Sequence, residues 1–176
     1  MNVFILNTGR CGSSTFIKAC KHITNYSSAH ESRISMPGTQ RLAYPQNHIE
    51  ADNRLTWFLG RLDTAYGNNA IYVHLQRDKQ QTVDSFIRRK DYGIIKAYQQ
   101  GIFLDEKRIL AIEDVVADYL DTANANIRAF LKNKSHTMAF MLGHAHADFH
   151  QFWKLIQATG DLQAALAEWE INYNAS

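Results

Sequence analysis

The sequence is poor in the residues that staple, kink or repel. Two cysteines, Cys11 and Cys20, cannot make a disulfide framework, so a reducing, cytoplasmic compartment is expected. Only two prolines, Pro37 and Pro45, and no low-complexity stretch exclude a disordered, collagenous or fibrous chain. No apolar run approaches the ~18 residues that a membrane span needs. The first residues, Met1-Asn2-Val3-Phe4-Ile5-Leu6-Asn7, have neither the basic leader nor the long apolar region of a signal peptide. Charge of one sign is also lacking. Nineteen Lys and Arg against seventeen Asp and Glu leave a net +2, too little to announce a nucleic-acid partner. What is present is a globular composition, 45% hydrophobic and 20% charged, in 176 residues. That length buries roughly 70% of the unfolded surface and suits one domain over residues 1–176.

Val3 to Leu6 is a short apolar run with β-branched and aromatic residues, the pattern of a buried strand. Helical spacing follows from Ser13 to Ile23, with Phe16, Ile17, Ala19 and Cys20 apolar. Residues 24–51, polar and holding both prolines, read as irregular. Leu55, Phe58, Leu59, Leu62 and Tyr66 predict a helix over 52–66, which Gly67-Asn68-Asn69 ends. Ala70 to Leu75 is a second buried strand. The spacing then predicts one helix over 80–100, a third strand at Arg108–Ile112 and a helix ending near Leu131. Two further helices are expected at 146–157 and 161–169. Strands alternating with helices predict a parallel sheet covered on both faces.

The first strand runs through Asn7-Thr8-Gly9-Arg10-Cys11-Gly12-Ser13-Ser14 into a helix. Strand, glycine turn and helix make an anion site, because turn N–H groups and the positive end of the helix dipole face the same ligand. Gly9 and Gly12 permit the tight path, Ser13, Ser14 and Thr15 add hydroxyl donors, and Arg10 adds a fixed charge. A Walker A loop would place a lysine after the last glycine, where this chain has Ser13. The same residues also suit an ordinary N-capped helix after a glycine turn.

The second strand ends in Arg77-Asp78, with Ser85 eight residues and Arg89 twelve residues beyond Arg77. On a helix starting near Lys79, Ser85 and Arg89 share one face. Two guanidinium forks and a hydroxyl at the carboxyl end of a parallel strand form a second phosphate clamp in the crevice where such sheets bind ligands. The alternative is a solvated basic helix face, Arg88-Arg89-Lys90.

Together these elements resemble the cofactor motifs of the sulfotransferases that use 3′-phosphoadenosine 5′-phosphosulfate (PAPS). Thr8-Gly9-Arg10-Cys11-Gly12-Ser13-Ser14 is similar to the family's 5′-phosphosulfate loop, and Val73 to Asp78 with Ser85 to its 3′-phosphate motif. Ile109-Leu110-Ala111-Ile112-Glu113-Asp114-Val115 resembles a weaker signature, a strand ending in Glu-Asp. Glu31-Ser32-Arg33 and Ser85 to Lys90 look like the tyrosylprotein branch. The resemblance spans residues 3–116. It implies an α/β fold that is P-loop NTPase-like, three-layer α/β/α, with a short parallel sheet and a helical C-terminal part.

It also implies PAPS as sulfuryl donor and adenosine 3′,5′-bisphosphate as product, with no metal. Gly9, Arg10, Cys11, Gly12, Ser13, Ser14 and Thr15 would hold the 5′ end, and Arg77, Ser85 and Arg89 the 3′-phosphate. Arg10 would neutralise the leaving oxygens, by analogy with phosphoryl transfer. Glu31 is the first candidate for general base and His30 the second; the bland alternative for Glu31 is an exposed ion pair with Arg33. The acceptor would be a small molecule, carbohydrate or peptide, with neither nucleic acid nor membrane as partner. The chain is short for this family. That points to an open cleft, a large acceptor or a homodimer. A nucleotide-binding P-loop protein without catalysis and a P-loop nucleotide kinase are the competing readings.

Three other groupings carry less. Cys11 in an anion loop would be reactive if its thiol were acidic, but a phosphatase loop needs an arginine where this chain has Ile17. His144, His146 and His150 have a spacing that can bind metal, without evident carboxylate or cysteine partners. Phe149, Phe152, Trp153, Leu155 and Ile156 read as packing, and Trp169 with Tyr173 as a cover for one edge of the cleft.

Overall fold

A computed structural model describes residues 1–89, 91 and 93–171. Five strands form one sheet: β1 (Asn2–Leu6), β2 (Ser27–His30), β3 (His48–Ala51), β4 (Ala70–Gln76) and β5 (Thr137–Met141). All neighbours are parallel, in the order β2-β3-β1-β4-β5. Seven α-helices accompany them among the described residues: α1 (Ser13–Cys20), α2 (Leu59–Tyr66), α3 (Lys79–Ile87), α4 (Gly93–Gly101), α5 (Ile112–Leu131), α6 (Ala145–Leu155) and α7 (Leu162–Ala167). None of the described helices is long and apolar enough to cross a membrane.

Continuous apolar runs in β1 and β4 are what a strand buried on both faces requires. Alternate residues go to opposite layers. Val3, Ile5, Ile49, Ile71 and Val73 pack with Phe16 and Ile17 of α1 and Phe149 and Phe152 of α6. Phe4, Leu6, Ala70 and Tyr72 pack on the other face with Leu62 of α2 and Ile127 of α5. A third cluster joins α3, α4 and α5 through Val83, Phe86, Ile95, Val116 and Tyr119. The result is three layers, helices on both faces of a parallel sheet.

Several expected elements are corrected. Residues 24–51 are not wholly irregular, since β2 and β3 lie within them. Their strand pattern is concealed because buried polar groups replace apolar ones. Glu50 of β3 is fully buried and accepts from the Ser32 N–H and hydroxyl, both at 2.7 Å, and lies 3.1 Å from His48 Nε2. The predicted strand at Arg108–Ile112 does not form. Ile109 is 80% exposed, and the Asp105 carboxylate accepts from the N–H groups of Ile109 and Leu110, holding that stretch as a turn ahead of α5. The fifth strand is instead Thr137–Met141, beside β4. The single helix over 80–100 is two, α3 and α4, so Arg89 lies beyond the end of α3 and its N–H reaches Phe86 O.

The C-terminal helices seal the α1 face. Phe16 meets the rings of Phe140, Phe152 and Trp169 at 5.0, 4.9 and 5.9 Å. Trp169 therefore belongs to the core rather than to the edge of a cleft. Tyr173 lies outside the described residues. Gly160 bridges to Ile23, and a Cβ there would sit 2.1 Å from His22 O, so only glycine fits this crossing.

Candidate functional site

Strand order sets where a site can form. From β1 the chain leaves through α1 on one face of the sheet towards β2, whereas from β4 it leaves through α3 to α5 on the other face towards β5. The loops after β1 and β4 diverge, which opens a crevice at the carboxyl ends of these adjacent strands, the switch point where open α/β sheets take ligands.

The loop after β1 is built around left-handed backbone. Gly9 and Gly12 have φ of 86° and 91°, and Arg10 has φ of 57°. Glycine adopts this at no steric cost, but Arg10 pays roughly 1–2 kcal/mol for it. Such strain persists where surrounding contacts over-determine it, a common property of ligand clamps. Those contacts are visible. Asn7 Oδ1 accepts from Gly9 N at 2.9 Å, its amide donates to Ile5 O at 2.9 Å, and the buried Tyr119 hydroxyl donates to Thr8 O at 2.8 Å. A Cβ on Gly9 would lie 2.9 Å from Asn53 Nδ2, and one on Gly12 would lie 2.7 Å from Leu142 Cδ1. Gly12 is also the N-cap of α1 and offers no capping side chain. The first-turn N–H groups at Ser13, Ser14 and Thr15 are thus available to an anion rather than to a cap.

Arg10 of the first expected clamp meets Arg77 and Ser85 of the second here, whereas Arg89 lies beyond the end of α3. Arg10 Nε donates to Ser85 Oγ at 2.9 Å, and Arg77 Nη1 donates to Arg10 O at 3.3 Å. Arg77 is further held by Gln81 Oε1 at 3.2 Å. Arg10, Arg77 and Ser85 are therefore one connected group, although 75 residues separate Arg10 from Ser85. Beside Arg77, on its α5 side, a cavity of about 210 Å³ is lined by Thr8, Lys79, Thr82, Asn124 and Arg128.

Cys11 points away from this crevice. Its side chain is buried against Asn7 Oδ1, and burial pushes the thiol up to about 12 against the opposing pull of the Gly9, Thr8 and Cys11 N–H groups. It is a packing residue with an inert sulfur. Only its main-chain N–H could serve an anion.

The carboxyl ends of β2 and β3 bring the base candidates to the same edge. His30 Nε2 lies 3.0 Å from Ser13 Oγ, at the first residue of α1. Glu31, with φ of 51°, pairs with Arg54 at 3.0 Å. The expected partner Arg33 instead reaches Gln40 O and the Tyr44 ring. Arg54 also donates to Asn53 Oδ1 at 3.3 Å, and Asn53 Nδ2 approaches Thr8 O at 3.5 Å. Glu31 is thus linked to the glycine loop through Arg54 and Asn53.

Asn7, Asn53, Arg54, Tyr119 and Arg128 escaped the sequence reading. Asn7 carried a signal, an Asx residue two places before a turn glycine. The others come from α5 and from a stretch read only for its helical spacing. The histidine grouping does not assemble: His146 pairs with Glu170 at 2.6 Å, and no cluster of three metal-ligating side chains occurs among the described residues.

The chain matches no protein-family model, and no curated protein matches it either. The chemistry must be read from the geometry. A strained glycine loop, an uncapped helix start, two arginines and two base candidates on one sheet edge can hold a doubly anionic ligand beside a proton acceptor.

Proposed function

We propose that the protein is a PAPS-dependent sulfotransferase of P-loop-like architecture. The observation that carries this reading is the junction of the two anion elements at the β1/β4 crevice, Arg10 to Ser85 at 2.9 Å and Arg77 to Arg10 O at 3.3 Å. A nucleotide with phosphates at both ends of its ribose would satisfy both elements at once. The α1 start, with Ser13, Ser14 and Thr15, takes the 5′-phosphosulfate; Arg77, Ser85 and the half-buried Arg89 take the 3′-phosphate. The cavity beside Arg77 gives the nucleoside room to extend.

In the reaction the acceptor oxygen forms a bond to sulfur while the bond from sulfur to the bridging oxygen breaks. The electron pair of that bond stays on the departing 5′-phosphate, where Arg10 and the loop N–H groups stabilise it. The acceptor proton passes to Glu31, with His30 as the alternative acceptor of that proton. No step calls for a Walker lysine, which the loop does not have.

Calorimetric titration with adenosine 3′,5′-bisphosphate, ATP and AMP tests the binding half. The bisphosphate is expected to bind tightly, and Arg77→Ala to weaken it by about tenfold or more through loss of a charge-assisted contact. Tight ATP binding with none for the bisphosphate would favour a nucleotide kinase and remove this reading. Transfer of labelled sulfate from PAPS to a panel of alcohols, phenols, sugars and peptides tests the chemical half. One observation favours a second reading, a nucleotide binder without catalysis: Glu31 is engaged in an ion pair. Bisphosphate binding with no transfer to any acceptor would support it.

A further inference from the structure

A groove of about 500 Å³ is lined by Ile34, Met36, Pro37, Phe58, Arg61 and Arg54, the ion-pair partner of Glu31. Its volume falls within the range of small-molecule sites. Ile34 and Met36 are exposed apolar side chains, and Phe58 forms part of the wall. The charges are unevenly compensated. Arg41 at the back is buried on Asp52, and Arg54 pairs with Glu31. Arg61 donates only to Gly38 O and lies 5.4 Å from the Phe58 ring centre, with no carboxylate partner among the described residues. An apolar trough with one uncompensated guanidinium and another that can exchange its partner suits an amphipathic organic anion.

We infer that this groove binds a small acceptor with an apolar ring and a carboxylate or similar anion, and that the anion draws Arg54 off Glu31. Arg61 supplies the first attraction. As the anion takes up Arg54, the Glu31 carboxylate regains the lone pairs it had committed to the ion pair, next to the acceptor hydroxyl whose proton it receives. Substrate charge and base release are then one event, and neutral acceptors are turned over slowly even when bound. The role as an acceptor site rests on the sulfotransferase reading; the preference for an organic anion does not.

The full chain labelled with methyl-¹³C methionine separates the two. Met36 is the methionine that lines the groove. Its signal is expected to move on titration with 4-hydroxyphenylacetate, and affinity for the neutral 4-hydroxyphenylacetamide to be about tenfold lower through loss of a charge-assisted contact. The exposed Arg61→Gln should narrow that difference, and Arg61→Gln with Arg54→Gln should erase it, without unfolding the chain. Equal affinity for acid and amide, a stationary Met36 signal, or movement caused only by a long acidic peptide would each overturn the proposal. With PAPS present, Arg54→Gln should bring kcat for the amide close to that for the acid. An unchanged ratio would sink the base-release step. If the acid moves Met36 but the bisphosphate fails to bind in calorimetry, the groove stands and the sulfotransferase reading falls.

Discussion

Between β1 and β4 the site is held by apolar packing and main-chain geometry: largely buried strands, two glycines at positive φ and one tyrosine hydroxyl on Thr8 O. Between β2 and β3 the same sheet edge is held by buried charge. Asp52 pairs with Arg41, both almost wholly excluded from solvent, and Glu50 gathers Ser32 and His48. An apolar frame tolerates volume-conserving change and loses stability in small steps. A buried ion pair behaves otherwise, because removing one partner strands the other charge. The β1/β4 side should therefore be robust and the β2/β3 side brittle; in the proposed reading the first would hold the nucleotide and the second the acceptor.

The largest expected effect breaks this comparison at its most polar point. Asp52→Ala leaves the Arg41 guanidinium buried without its counter-charge and should cost about 3–5 kcal/mol. Urea denaturation measures it directly. A loss below about 1 kcal/mol, the scale of an exposed pair, would show that the charged edge is not brittle. On the apolar side, Tyr119→Phe removes one hydroxyl and leaves Thr8 O only the long 3.5 Å contact from Asn53 Nδ2, at about 1 kcal/mol. It should also weaken bisphosphate binding, because the loop backbone loses its tie to α5. An unchanged affinity would mean that the glycines alone hold the loop.

The smallest effect is a pH dependence at β4. His74, buried in β4 beside Asn124 Oδ1, has its pKa held below the ordinary 6.5, chiefly by burial. The unfolded chain then takes up this proton at a higher pH than the folded one. Stability from His74 is complete above 6.5 and is lost as pH falls through the folded value. Unfolding midpoints at pH 7.5 and 5.5 should drop more in the wild type than in His74→Gln. Equal drops would place the titration on other groups.

Legibility in the sequence followed the same division. β1, β4, α1 and the glycine loop could be read because an apolar run, a glycine at a turn and helical spacing are local signals. β2 and β3 could not, because Ser-Ser-Ala-His and His-Ile-Glu-Ala derive their strand character from partners across the sheet. The apparent strand at Arg108–Ile112 failed for the opposite reason. Ile109 and Leu110 stay exposed, Ile112 packs as the first residue of α5, and Asp105 offered the N–H groups of Ile109 and Leu110 another acceptor. Among site residues, spacing predicted Arg77, Ser85 and Arg89 as a separate clamp facing the crevice of the loop; α3 ends at Ile87, ahead of Arg89, and the contact of Ser85 with Arg10 of the loop was not predicted. Nor was the Arg54 partnership of Glu31, since the intervening strand β3 decides which arginine arrives.

By itself the sequence determined that the chain makes a parallel sheet under helices and that the first loop has the conformational freedom of an anion site. These depend on side-chain period and on glycine, which act over a few residues. Tertiary structure decided that Arg10 meets Ser85, that Glu31 faces Arg54, and that an apolar groove with an uncompensated arginine opens beside them. Such pairings depend on strand order. Strand order is set by how both faces of the sheet are covered together, a property of the whole core rather than of any one segment.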